Sequence, residues 1–224
     1  MGTSNGGSGL FLSISPLKAL ILHLICGFGL APPFLAAHHI YSINLTTRPS
    51  QTLFLIWGFV APVVILLFSH LRQDRKQCSY IQAVGRGFLG LLAGAIVNAL
   101  GAIILGTPVS FEYFRKTLNW SLLMSSFTFV PVACAFGSSW TNWHNIFAET
   151  KAFSFVDCMI RLPAYGAVIG AWLGAWPMPL DWERPWQEWP ICVTYGAMGG
   201  YLVGLVTSLV CIITCGRQQH LKGE

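Results

Sequence analysis

The chain has 224 residues, of which 54% are hydrophobic and 9% are charged, with a net charge of +5 and a mean hydropathy of +0.60. A soluble domain carries roughly 25% charged residues. The composition therefore excludes a soluble enzyme, a nucleic-acid-binding module and a disordered chain, and leaves a polytopic membrane protein.

Met1–Gly9 is rich in Gly and Ser and reads as a disordered N-terminus. Six apolar windows follow, each close to the ~20 residues that a helix needs to cross a bilayer. The first is Ala19–Ala37, which no small-residue cleavage site follows and which Pro32-Pro33 interrupts, so it reads as a span rather than a signal peptide. The others are Thr52–Leu71, Gly87–Gly106, Leu118–Gly137, Leu162–Leu180 and Ile191–Cys215. Continuous runs, not short alternating segments, make the fold all-α, and residues 1–224 form one transmembrane domain of about six helices.

An even number of spans puts both termini on one side. That side collects Lys18, Arg72, Arg75, Lys76, Arg86, Lys151, Arg161, Arg217 and Lys222, against Arg48, Arg115, Lys116 and Arg184 opposite. The excess predicts cytosolic termini and a luminal or external Asp181–Pro190 loop. The sequons at Asn44 and Asn119 fall on that far side but hug the membrane edge, so little glycosylation is expected.

Helix contacts are legible in the glycines. The fifth span carries Gly166, Gly170 and Gly174, and the sixth carries Gly196, Gly200 and Gly204. Small residues four apart let two backbones approach closely, which predicts that these two helices pack as a hairpin. Gly90 and Gly94 form a lesser ridge in the third span, and Pro62, Pro131 and Pro163 are candidate kink points.

Chemistry-bearing residues are sparse. No Asp, Glu, Lys or Arg falls inside a window, which argues against a proton-coupled transporter. His23 and His70 read as packing or interfacial residues, and Asn98 as a hydrogen-bonding bridge between helices. Adjacent His38 and His39 point apart on a helix and make a poor metal pair. Trp140, Asn142, Trp143, His144 and Asn145 read as part of an aromatic belt. The seven cysteines show no disulfide or zinc spacing and read as packing thiols, with Cys211 and Cys215 near a membrane edge as a weak palmitoylation motif. A metal-dependent phosphotransferase needs converging carboxylates and His, and the far side offers only Glu112, Asp181, Glu183, Glu188, His38 and His39 on separate loops. No cofactor, metal or nucleic acid is expected.

The densest segment runs from Trp176 to Pro190: Trp176, Pro177, Pro179, Leu180, Asp181, Trp182, Glu183, Arg184, Pro185, Trp186, Trp189 and Pro190 are its candidate docking residues. Proline stiffens the backbone and tryptophan suits the headgroup layer. Asp181 or Glu183 is placed to pair with Arg184. The residues alone leave two readings open, a membrane-anchoring hairpin or a docking surface for a luminal domain or lipid headgroup. The run Trp176-Pro-Met-Pro-Leu-Asp-Trp-Glu-Arg-Pro-Trp-Gln, then Trp189-Pro190, then Gly200-Tyr201 with Gly204, resembles the phosphatidylinositol-glycan biosynthesis class F (PIG-F) family. The motif match covers about residues 170–204, and length and span layout agree over the whole chain.

The resemblance implies a multi-pass protein of the endoplasmic reticulum membrane that takes part in glycosylphosphatidylinositol (GPI) anchor assembly. It implies a non-catalytic subunit that stabilises the large multi-span ethanolamine phosphate transferases, with catalysis, the metal and the phosphoethanolamine chemistry all in those partners. The family offers no catalytic residues to carry over, and the tail Gly216–Glu224 is less basic than is common there. A runner-up role is presentation of phosphatidylethanolamine or the GPI intermediate, with Arg184 on a lipid phosphate and the tryptophans around the headgroup.

Overall fold

The structure is a computed structural model that describes residues 15–74, 78–137, 143 and 155–222, with side chains up to residue 214. The Met1–Gly9 stretch and Trp140, Asn142, His144 and Asn145 lie outside the described residues, as do Arg75, Lys76 and Lys151 of the charge count. The side chains of Cys215, Arg217 and Lys222 lie outside them too. Among the described residues six helices are long and apolar enough to cross a membrane: α1 (Pro16–Ile40), α2 (Pro49–Ser69), α3 (Tyr80–Ile104), α4 (Phe111–Phe136), α5 (Phe155–Ala175) and α6 (Ile191–Lys222, apolar to Thr214). The chain is an all-α, multi-pass membrane protein.

The helix ends depart from the apolar windows for physical reasons. Ser79 accepts from Gln82 N at 3.3 Å while the Gln82 side chain accepts from Ser79 N, and this capping box starts α3 seven residues early, taking Arg86 into the helix. α4 likewise begins at Phe111, with Glu112 in its first turn, and α5 at Phe155, so Glu112, Lys116, Asp157 and Arg161 are helical although no window held them. α1 breaks after Phe28 and resumes at Ala31 before a π-helical turn over Ala36–Ile40. Pro32 and Pro33 have no N–H to give to the carbonyls of Phe28 and Gly29. Helices run through Pro62, Pro131 and Pro163 without interruption.

α4 is the central helix. Every residue from Trp120 to Ala135 is buried except Phe129, and α2, α3 and α5 pack around it. Its hydroxyls bond main-chain carbonyls: Ser126 to Leu122 at 2.8 Å, Thr128 to Met124 at 2.8 Å, and Ser125 across to Leu91 of α3 at 2.8 Å. The α3 face is cut back to receive it. A Cβ added to Gly87 would lie 2.6 Å from the Cys134 sulfur, and one on Gly90 would lie 2.5 Å from the Ala133 Cβ. Asn98 does not bridge helices; its amide donates to Gly94 O of its own helix at 2.8 Å, where a bare glycine leaves that carbonyl open. His23 similarly engages Ala19 O of its own helix at 2.7 Å.

α5 and α6 meet along their glycines. A Cβ on Gly170 would strike the Gly196 carbonyl and lie 2.9 Å from the Gly200 Cα, and one on Gly204 would lie 2.5 Å from Leu162 O. α6 in turn packs on α1 and stacks Tyr201 on Phe127 of α4, with ring centroids 4.2 Å apart. The Cys158 and Cys211 sulfurs approach to 3.6 Å near the other end of the α5–α6 pair. At the end of the bundle where α1 begins, Asp74 pairs with Arg86 at 2.7 Å, and Trp143 donates to Gly137 O at 2.8 Å, closing the end of α4.

Candidate functional site: the tryptophan-rich turn

The turn between α5 and α6 has an inner wall and an outer face. The inner wall is built on Gln187, in the short 3-10 helix Pro185–Gln187 and 8% exposed. Its side-chain nitrogen donates to Pro177 O at 2.7 Å and Leu180 O at 2.8 Å, and its side-chain oxygen accepts from Arg184 N at 2.9 Å. One amide thus ties both limbs of the loop together, using both of its N–H donors and its oxygen as an acceptor. Both carbonyls also accept a backbone N–H, Pro177 O from Leu180 N at 3.2 Å and Leu180 O from Trp182 N at 2.9 Å, so the amide reinforces turns that the main chain itself makes.

The wall is fastened to α4. Trp189 is 7% exposed, donates through its indole N–H to the Thr117 hydroxyl at 3.0 Å, and packs edge-on against Trp120 with centroids 5.0 Å apart. Next to it, Lys116 reaches Glu188 at 2.7 Å and Glu112 at 3.2 Å, and lies 4.5 Å from the centre of the Tyr113 ring. The peptide between Trp189 and Pro190 is cis, and Pro190 O receives both the backbone N–H and the hydroxyl of Thr194.

The outer face is free. Trp176 is 79% exposed and Trp182 56%, while Trp186 stands edge-on to Trp182 at 6.0 Å. Pro179, Leu180, Asp181, Glu183, Arg184 and Pro185 are exposed as well. Glu183 adopts φ 49°, a left-handed conformation that reverses the chain within one residue. The expected pairing of Arg184 with Asp181 or Glu183 does not occur. Among the described residues, Arg184 has no carboxylate within 4.0 Å.

The structure therefore divides the twelve candidate docking residues. Trp189 and Pro190 are buried and hold the turn in place, Pro177 supplies a carbonyl to it, and the remaining nine are exposed. Sequence reasoning missed Gln187, Glu188, Tyr113, Lys116 and Thr117. Only Gln187 left a signal, as an uncharged amide inside a run of Trp, Pro and charged residues. His38 and His39 are exposed in the π-turn of α1, their rings 4.8 Å apart and edge-on. Among the described residues, no three His, Cys, Asp or Glu side chains converge in a metal-binding group.

The pattern of the GPI biosynthesis protein family Pig-F matches residues 31–209, from the break in α1 through most of α6. The chain belongs to this family. Among its Pig-F relatives, a human protein named "GPI ethanolamine phosphate transferase, stabilizing subunit" is 30% identical over 92% of this chain and 97% of its own length. A mouse protein of the same name is 40% identical over 54% of this chain and 55% of its own. In Candida albicans, "Glycosylphosphatidylinositol anchor biosynthesis protein 11" is 35% identical over 48% of this chain and 41% of its own. No solved structure matches the chain.

Proposed function

We propose that this protein is a non-catalytic stabilising subunit of GPI ethanolamine phosphate transferases, resident in the endoplasmic reticulum membrane with both termini in the cytosol. The observation that carries the reading is the end-to-end similarity to the human stabilising subunit, which includes the whole Trp176–Pro190 turn within the family match. The partners are the large multi-span catalytic subunits. The turn, rigid on its inner side and bare on its outer side, is the docking element, and the α5–α6 glycine contact sets its position. A catalytic subunit without this cover exposes polar surface inside the bilayer and is degraded.

The site chemistry fits an accessory role. Two of the far-side carboxylates, Glu112 and Glu188, are engaged by Lys116 and are structural. The test is a mild-detergent pull-down of the tagged chain from endoplasmic reticulum membranes, with mass spectrometry of what accompanies it. A multi-span transferase at near-equal amount is the expected result, and its loss with the double substitution Trp182→Ala, Arg184→Gln maps the contact to the turn. A chain that purifies alone would overturn the reading.

A further inference from the structure

We infer that the chain holds one glycerophospholipid in a groove between α3 and α4, a site that goes beyond the subunit role and is independent of it. The groove is lined by Ala99 and Ile103 of α3, Val109 of the connecting loop, and Phe114 and Leu118 of α4. It lies at the end of the bundle that carries the turn, and its walls are almost wholly apolar.

The loop that shapes it is fixed by main-chain bonds. Leu105 N donates to Gly101 O at 3.0 Å, Gly106 N to Ile103 O at 3.0 Å and Thr107 N to Ala102 O at 3.0 Å, with Gly106 at φ 99°. These bonds fix the loop that borders the groove between the two helices.

Size and charge select the occupant. The groove volume is about 60 Å³. At roughly 10–15 Å³ per water-sized unit, it admits a few methylene groups. A helix, roughly 10–12 Å across with its side chains, cannot enter it. Charge lies beside it. Arg115 is exposed on α4 between Phe114 and Leu118, three residues from Leu118 and therefore on the same flank. Its neighbour Glu112 is engaged by Lys116, and among the described residues Arg115 has no carboxylate within 4.0 Å. Ser110 also lines the groove, and its side chain makes no capping bond to α4. An acyl chain in the groove leaves its lipid phosphate beside the first turns of α4, which carry Arg115, whose guanidinium binds phosphate in a forked geometry, and Ser110.

The experiment is native mass spectrometry of the full chain, purified in mild detergent, stripped of lipid and titrated with 1-palmitoyl-2-oleoylphosphatidylcholine. One lipid is expected to bind ahead of the rest. Arg115→Gln should weaken it about tenfold, the loss of one charge-assisted contact. Ala99→Phe, which fills the groove, should abolish the first binding step, whereas Ala93→Phe, on the exposed side of the same helix, should leave it unchanged. Dioleoylglycerol, which lacks the phosphate, should bind the wild type at least tenfold more weakly. If Ala99→Phe does not yield folded protein by gel filtration, Ile103→Trp at the partly exposed rim takes its place. Undiminished binding to the groove-filled variant, an equal loss in Ala93→Phe, or equal binding of dioleoylglycerol would overturn the inference.

Discussion

Adding one methyl group to Gly200 and, separately, to its neighbour Gly199 should have opposite effects. A Cβ on Gly200 meets the Gly166 carbonyl oxygen and lies 2.8 Å from the Gly170 Cα, whereas one on Gly199 has no heavy atom within 4 Å. Carbon atoms rest about 3.5–4.0 Å apart, so the Gly170 contact alone forces α5 and α6 to separate by about 0.7–1.2 Å in Gly200→Ala, and the closer Gly166 oxygen requires at least as much. A gap of that size forfeits about a quarter to a half of each dispersion contact along the pair. Overpacking of this kind costs about 1–3 kcal/mol. For a chain of this length that lowers the melting temperature by about 2–12 °C. Gly199→Ala gains helix propensity, up to about 1 kcal/mol, and meets no obstacle. The assay is thermal unfolding of the detergent-solubilised chain followed by tryptophan fluorescence, with transferase abundance in cells scored in parallel. Gly200→Ala should lower both readings and Gly199→Ala neither. Equal melting temperatures for the two variants would refute the glycine interface and with it the placement of the turn.

Three further outcomes are expected. Gln187→Leu removes the link between the two limbs and takes from the Arg184 N–H its acceptor, while the Pro177 and Leu180 carbonyls keep their bonds from Leu180 N and Trp182 N, so the cost is about 1 kcal/mol. Protease cleavage within residues 176–190 should accelerate, while Gln187→Glu, which keeps the acceptor, should be intermediate; an unchanged cleavage rate for Gln187→Leu would remove the amide from the account. Treatment of membranes with copper phenanthroline should join Cys158 to Cys211, whose sulfurs are 3.6 Å apart, and mass spectrometry of the peptides should show that pair and not Cys158 with Cys192. Asn119 should carry no glycan, because its side-chain amide donates to Ser50 and Arg115 O and its oxygen accepts from Trp57; Asn119→Gln should not change gel mobility, and a shift would mean that this corner opens.

The spans were legible because a bilayer demands runs of apolar residues long enough to cross it, and no local detail alters that requirement. Their ends were not, because capping by Ser79 and Gln82 and the charged first turns of α4 and α5 carry the helices out into the headgroup layer, where hydropathy no longer tracks structure. The special character of the turn was visible in its Trp and Pro content. What stiffens it was not. Gln187 bonds carbonyls, which every residue has, and Lys116 meets Glu188 across 72 positions of sequence. The sequence likewise gives no hint that Trp189 is buried while Trp182 is exposed, since that depends on the Thr117 hydroxyl and the Trp120 ring one helix away. Asn98 shows the converse error: a polar residue deep in a span suggested an interhelical bond, and the nearest carbonyl of its own helix satisfied it.

The centrality of α4 also bears on how the protein is made. It is less apolar than α2 and α3, so it is the poorer candidate to enter lipid unaided. Yet the trimmed glycine face of α3 and the carbonyl that accepts from Ser125 both precede it in the chain. Synthesis thus delivers the receiving surface before the helix that needs it, and chain order becomes assembly order. α5 and α6 emerge last and bring their own mutual interface. A lesion at Gly94 would then misplace α4 during insertion and corrupt topology, whereas one at Gly200 would spare the first four helices and leave a correctly inserted protein with a misdirected turn.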